Sequence, residues 1–224
     1  MRLRHLLEEF FYRFLLFLSE KVFRPTITEI RGIENLPKDR GFIIAANHVN
    51  SFDPFVIIAV IRGFLHKHFL KNGRKFYYIG MKGLKKRIYS FFLNERIGYL
   101  LANKDGIKRA VELLESGNVV GIFPEGRRNV SSKILEGKRG VAYMALLSGA
   151  PVVPTACFGP STWSFNQGLK GLVKPKKVYF GRPMIFSKRE SSCLQDAPGF
   201  LILVKRIIMS QIAELCGKTY EPEN

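Results

Sequence analysis

Gly41-Phe42-Ile43-Ile44-Ala45-Ala46-Asn47-His48-Val49-Asn50-Ser51-Phe52-Asp53-Pro54-Phe55-Val56-Ile57-Ile58-Ala59-Val60-Ile61 decides how the rest of the chain is read. Its first apolar run has the length and flanks of a buried strand. The second, opened by Asp53 and Pro54, reads as a helix start. His48 and Asp53 therefore stand in a strand-to-helix turn, where α/β folds tend to gather reactive groups. An imidazole titrates near neutrality, and a carboxylate within reach can fix its tautomer and stabilise the imidazolium. The pair is a candidate general base with its orienting partner. The same residues also suit a plain helix start, with Asp53 as N-cap and Pro54 at the first helical position.

Outward from that stretch, apolar runs of strand length alternate with helical patterns. Thr26 to Arg31 alternates like a strand, and Phe76 to Ile79, Val119 to Phe123, Val152 to Phe158 and a region from Val178 to Phe186 are further strand candidates. Asp53 onward, Lys104 to Leu114, Lys138 to Ser148 and Phe200 to Leu215 have helical period, and Met81 to Leu93 reads as a basic helix or helical loop. The alternation predicts an α/β fold: a single domain, residues 25–224, with a central mostly parallel or mixed sheet flanked by helices.

Residues 1–24 stand apart as an N-terminal amphipathic element. Leu3, Leu6, Leu7, Phe10, Phe11, Phe14, Leu15, Leu18 and Val22 recur at helical spacing, with Arg2, Glu9, Arg13 and Glu20 on the other side. Its charge-free run is far short of the ~20 residues of a spanning helix, and Glu8, Glu9 and Arg13 interrupt any signal-peptide core. Two readings stay open: a helix lying in a membrane interface, or one packed on its own domain.

The chain has 224 residues and a formal charge of +18, from 36 Lys and Arg against 18 Asp and Glu. Such a surface implies a polyanionic partner: anionic lipid, phosphorylated substrates or nucleic acid. The aromatics sit in apolar runs and no nucleic-acid-binding signature occurs, which argues against the last. Cys157, Cys193 and Cys216 show neither zinc-ligand spacing nor a disulfide framework, and the four histidines form no metal motif, so no metal site is expected.

A second charged turn follows a second buried strand at Phe123-Pro124-Glu125-Gly126-Arg127-Arg128-Asn129. Glycine allows close backbone approach, and paired arginines offer planar forks suited to a phosphate. The bland alternative is a solvated turn with a local ion pair.

Together these residues resemble the glycerolipid acyltransferase family, whose best-known bacterial members are lysophosphatidate acyltransferases. His48 and Asp53 match its HxxxxD motif. Phe123 to Asn129 is similar to FPEGTRS, with Arg127 where Thr is usual and Asn129 for Ser. Gly149-Ala150-Pro151-Val152-Val153-Pro154 resembles the fourth block, and Tyr78-Ile79-Gly80-Met81-Lys82 through Gly98 the second. Val178 to Met184 is similar to the family's C-terminal strand ending in Gly-x-Pro. The four blocks stand in the family's order across roughly residues 30 to 186.

The resemblance implies a glycerolipid O-acyltransferase of phospholipid biosynthesis. His48 would deprotonate an acceptor hydroxyl that attacks an acyl thioester, with Asp53 orienting the imidazole. Lys82, Glu125, Gly126, Arg127 and Arg128 would hold the acceptor's phosphate and glycerol, and Pro154 would shape the acyl side. The expected donor is acyl-CoA or acyl carrier protein, with no cofactor. The expected acceptor is a lysophospholipid, lysophosphatidate first, and the expected location is the cytoplasmic face of an anionic membrane as a peripheral or monotopic protein. Glycerol phosphate, a lyso-aminolipid or a glycolipid is an alternative acceptor. A non-catalytic basic protein that binds membrane or nucleic acid is the alternative of another class. Tyr99 to Lys104 stands where the family often has an acidic residue and an arginine, with Lys104 as the available cation.

Overall fold

In the computed structural model, which describes residues 2–80, 95, 98–160, 174–196 and 198–222, Ile43–Ala46 is a strand buried on both faces. In chain order the elements are α1 (Arg2–Phe23), β1 (Ile27–Arg31), β2 (Ile43–Ala46), α2 (Asp53–His68), β3 (Phe76–Gly80) and β4 (Tyr99–Leu101). There follow α3 (Lys104–Glu115), β5 (Val119–Ile122), α4 (Gly140–Ser148), β6 (Val152–Phe158), β7 (Lys176–Phe180), α5 (Ser191–Asp196) and α6 (Pro198–Cys216). The strands form one mixed sheet in the order β1-β7-β6-β2-β5-β3-β4. Every pairing is parallel except β6 with β7. The expected α/β sheet flanked by helices is what the chain forms.

Period-two alternation divides the core between the faces. Ile43, Ala45, Val120, Ile122 and Val152 point into a cluster closed by α3, α4 and α6. Phe42, Ile44, Ala46, Val119, Phe123 and Val153 point into a second cluster closed by α1 and α2. Because β2 and β5 are covered on both sides, their sequences are continuous apolar runs, as parallel strands require. Helix α2 also lacks a polar face over Val56–Ile61, since it lies between the sheet and α1.

Helix α1 has two apolar faces, one packed on its own domain and one exposed. Tyr12, Leu16, Ser19 and Phe23, spaced four, three and four apart, are buried against the domain. The Tyr12 hydroxyl accepts from Phe76 N at 2.8 Å and donates to Phe76 O at 3.3 Å. Glu9 pairs with Lys75 and Glu20 with Arg62, tying the helix down along its length. Leu6, Leu7, Phe10, Phe14, Phe17, Leu18 and Val22 remain exposed.

The structure departs from the sequence reading in three places. The first is β4, a three-residue edge strand in the stretch from Tyr99 to Lys104, where a run that short has no period to detect. The last strand is β7, Lys176–Phe180, and beyond it Met184 makes only an isolated bridge to Val152. Residues Lys138 and Arg139 precede α4 rather than belong to it. The expected helix from Met81 to Leu93 lies outside the described residues.

Candidate active site

Five parallel strands end on one edge of the sheet, so the loops after β2 and β5, which are neighbours in the sheet, emerge side by side. The β2 loop carries His48 and Asp53; the β5 loop carries Phe123 to Asn129. Adjacent parallel strands bring together residues about 75 positions apart in sequence, and this juxtaposition builds the site.

The β2 loop is shaped by its asparagines. Asn47 Nδ2 donates to Cys157 O at 3.1 Å and Asn47 Oδ1 accepts from Cys157 N at 2.7 Å, adding a side-chain rung to the β2–β6 ladder. Asn50 Oδ1 accepts from Phe52 N at 3.0 Å, and its amide donates to Pro160 O at 3.0 Å. The turn so formed closes on Asp53. One oxygen, Asp53 Oδ2, accepts from Val49 N at 2.8 Å, from Asn50 N at 2.7 Å and from His48 Nδ1 at 2.9 Å. Asp53 as a whole is 4% exposed. It does not cap α2: Phe52 occupies the N-cap position, and Asp53 turns back into the loop. Helix α2 does start at Asp53 and Pro54, but the N-cap role read for Asp53 fails, because its acceptor is committed to the imidazole and to the amides of Val49 and Asn50.

His48 is held from four sides. Its Nδ1–H points at Asp53, its backbone N–H donates to Glu125 Oε1 at 3.1 Å, and its carbonyl accepts from Asn129 N at 2.6 Å. Its ring lies on Phe123 with centroids 4.1 Å apart and planes 3° apart. A carboxylate only accepts, so in the neutral imidazole the proton is on Nδ1 and the Nε2 lone pair is the acceptor. An imidazole in that state and that fixed plane can take a proton from a hydroxyl.

The expected acceptor residues divide by orientation. Glu125 is 4% exposed and turned inward: besides His48 N, it accepts from Asn129 Nδ2 at 2.6 Å and Leu135 N at 3.1 Å. Its carboxylate ties the two loops to each other. Gly126 has φ +69, the left-handed region glycine adopts without cost, and its N–H closes a turn onto Phe123 O at 3.0 Å. Arg127 is exposed at the tip of that turn, and Arg128 reaches back to Ser51 Oγ at 2.8 Å. Lys82 lies outside the described residues. Lys104 is exposed at the start of α3, where Asn103 caps the helix through Gly106 N at 2.8 Å. Pro154 is buried in β6 with its ring toward Gly181 and α6, whereas the His48–Phe123 stack is on the α2 side of the sheet.

Three contributors escape the sequence reading. Asn129, distinctive there only as a departure from serine, is 5% exposed and bonds both Glu125 and the His48 carbonyl. Asn47 and Asn50 anchor the loop. Their signal is a buried strand followed at once by asparagine, a residue that bonds neighbouring backbone groups. Burial pushes the Cys157 thiol well up, as does the nearby Asp53 carboxylate, so this cysteine stays protonated and is no nucleophile. Among the described residues no cluster of three or more His, Cys, Asp or Glu is placed to hold a metal ion.

A 1-acyl-sn-glycerol-3-phosphate acyltransferase of Bacillus subtilis is 33% identical over 142 residues, covering 62% of this chain and 68% of its own. One from Borreliella burgdorferi is 25% identical over 152 residues, and there the match spans 62% of this chain but only 56% of the relative. The crystal structure of the 1-acyl-sn-glycerophosphate (LPA) acyltransferase PlsC from Thermotoga maritima superposes with a TM-score of 0.62 at 21% identity. It covers 96% of this chain and 83% of its own, a likeness of fold. The family model described as Acyltransferase matches residues 27–158. That span takes in both loops of the site from β1 to the end of β6, and by it the chain belongs to the acyltransferase family.

Proposed function

We infer that the protein transfers a fatty acyl group from an acyl thioester to the free hydroxyl of a lysophospholipid, with lysophosphatidate, the substrate named for its relatives, as the acceptor. The observation that carries the reading is the imidazole of His48, held through Nδ1 by Asp53, which assigns Nε2 the role of base. Nε2 takes the proton of the acceptor hydroxyl as its oxygen attacks the thioester carbonyl. The tetrahedral intermediate collapses with loss of the thiolate, which receives that proton from the imidazolium. Asp53, 2.9 Å from Nδ1, stabilises the cation formed in between. A thioester is activated enough for direct attack, so the scheme needs no acyl-enzyme.

Arg127 and Arg128 lie on the turn bonded to His48 and suit the acceptor's phosphate, with Lys82 as a further cation from the sequence pattern. Glu125 and Gly126 serve by shaping that turn. The donor is acyl-CoA or acyl carrier protein. The exposed apolar face of α1, with Arg13, Lys21 and Arg24 beside it, suits the surface of an anionic membrane, from which both the acceptor and the acyl chain would come. No helix among the described residues is long and apolar enough to cross a membrane.

The test is transfer from labelled acyl-CoA, and from acyl carrier protein in parallel, to lysophosphatidate, glycerol phosphate, lysophosphatidylglycerol and a lyso-aminolipid in detergent micelles. Label in phosphatidate that vanishes in His48→Ala supports the reading. Label in another lipid moves the acceptor assignment, and no transfer from either donor ends it.

A further inference from the structure

The segment after Arg128 leaves the turn, runs to Lys138 and is clamped from outside the family-matched region. Thr219 pairs with Lys133 as an isolated parallel bridge, and Ile134 N donates to Thr219 O at 2.8 Å. Lys218 Nζ donates to Ser131 O at 2.7 Å, and Lys133 pairs with Glu221 at 2.8 Å. Glu136 accepts from the Tyr220 hydroxyl at 2.9 Å and pairs with Lys205, a lysine buried in α6. The residues after α6 thus hold the loop from Ser131 to Glu136 in place, and two residues later the chain returns to the site.

At that return Lys138 N donates to Pro124 O at 2.8 Å, and the Lys138 side chain folds over Gly126. A Cβ at Gly126 would lie 2.5 Å from Lys138 Cε and 2.9 Å from both Cδ and Nζ. The left-handed backbone calls for glycine, and the space its missing side chain leaves is taken by the lysine stem. The ammonium sits on the turn that carries Arg127 and Arg128. Glu125, the turn's acid, is turned inward to His48, Asn129 and Leu135, and Lys138 makes no ion pair among the described residues.

We propose that Lys138 is a binding residue for the acceptor's phosphate, its ammonium set over Gly126 by the loop that the C-terminal segment clamps. The proposal rests on the phosphorylated-acceptor reading above. A point charge on a short leash beside two guanidinium groups completes a site for a phosphate monoester, whose oxygens outnumber what one planar fork can bond. The alternative, a solvated lysine whose stem merely covers glycine, leaves the ammonium without a role in binding.

The experiment compares wild type, Lys138→Met and Lys138→Arg in the full chain, with lysophosphatidate and the phosphate-free monoacylglycerol as acceptors. Methionine keeps the stem over Gly126 and removes the charge. The expected result is an acceptor KM about tenfold higher for lysophosphatidate in Lys138→Met, the loss of one charge-assisted bond, with the donor KM unchanged and Lys138→Arg closer to wild type. A KM unaltered for lysophosphatidate, or raised equally for monoacylglycerol, overturns the proposal. Acetylation of the wild-type protein by acetic anhydride gives a second readout, independent of how the variants fold. Lysophosphatidate is expected to slow modification of Lys138 where monoacylglycerol does not, and equal rates count against it. Wild type inactive on both acceptors would instead sink the acyltransfer reading itself.

Discussion

Replacing Asp53 by asparagine separates two ways in which a carboxylate can serve an imidazole. In hydrolytic triads an amide that turns its NH2 toward the imidazole imposes the wrong tautomer, at a cost of about 10⁴ in kcat. Here the oxygen that faces His48 also accepts the N–H groups of Val49 and Asn50, at 2.8 and 2.7 Å. An amide NH2 in that place would oppose two backbone donors. The amide of Asp53→Asn is therefore expected to keep its oxygen there and its NH2 on the other side. The tautomer of His48 survives and only the charge is lost. A hydrogen bond to a charged partner is worth about 1.5–3 kcal/mol, which predicts kcat lower by roughly 10- to 150-fold. The assay is initial-rate transfer of labelled acyl-CoA to lysophosphatidate across acceptor concentrations, with the melting temperature measured alongside. A loss near 10⁴ at unchanged melting temperature would refute the anchoring argument. A loss under threefold would refute any role for the carboxylate's charge.

Other perturbations test the supporting parts. Glu125→Gln puts an NH2 against a donor on whichever side it lies, so it should lower the melting temperature by several degrees and reduce kcat through the loosened His48 loop; calorimetry beside kinetics checks both. Leu7→Glu with Phe10→Glu alters only exposed positions of α1 and should abolish cosedimentation with anionic vesicles while leaving micellar activity within twofold. Deleting the whole helix is a poorer test, since it would also strip Tyr12, Leu16 and Phe23 from the core. Burial holds the Cys157 thiol well up and pushes Cys216 up to about 12, so both stay protonated at neutral pH and resist alkylation. Iodoacetamide at neutral pH should therefore label the exposed Cys193 and leave transfer intact, read by mass spectrometry and rate together.

Much of the architecture was legible because burial writes itself into sequence. The runs Phe42–Ala46 and Val119–Phe123 are apolar throughout because both faces of β2 and β5 are covered, and the helical period of Lys104–Leu114 marks a helix with one wet face. The two charged turns were legible as a candidate site as well, since His48, Asp53 and the arginines are residue types with narrow uses. What belonged to tertiary structure was the direction in which each group faces. Asp53 could have capped a helix, and Glu125 could have faced a ligand; sheet order and loop packing turned one to an imidazole and the other to a backbone amide. Asn129 joins two loops, α1 has one face in the core and one outside, and Lys138 meets Gly126 where the chain returns to Pro124 after a loop that residues from α6 onward clamp. Periodicity reports that a side chain is buried or wet. It carries no record of the partner across the sheet, because that contact depends on the path of the chain between them.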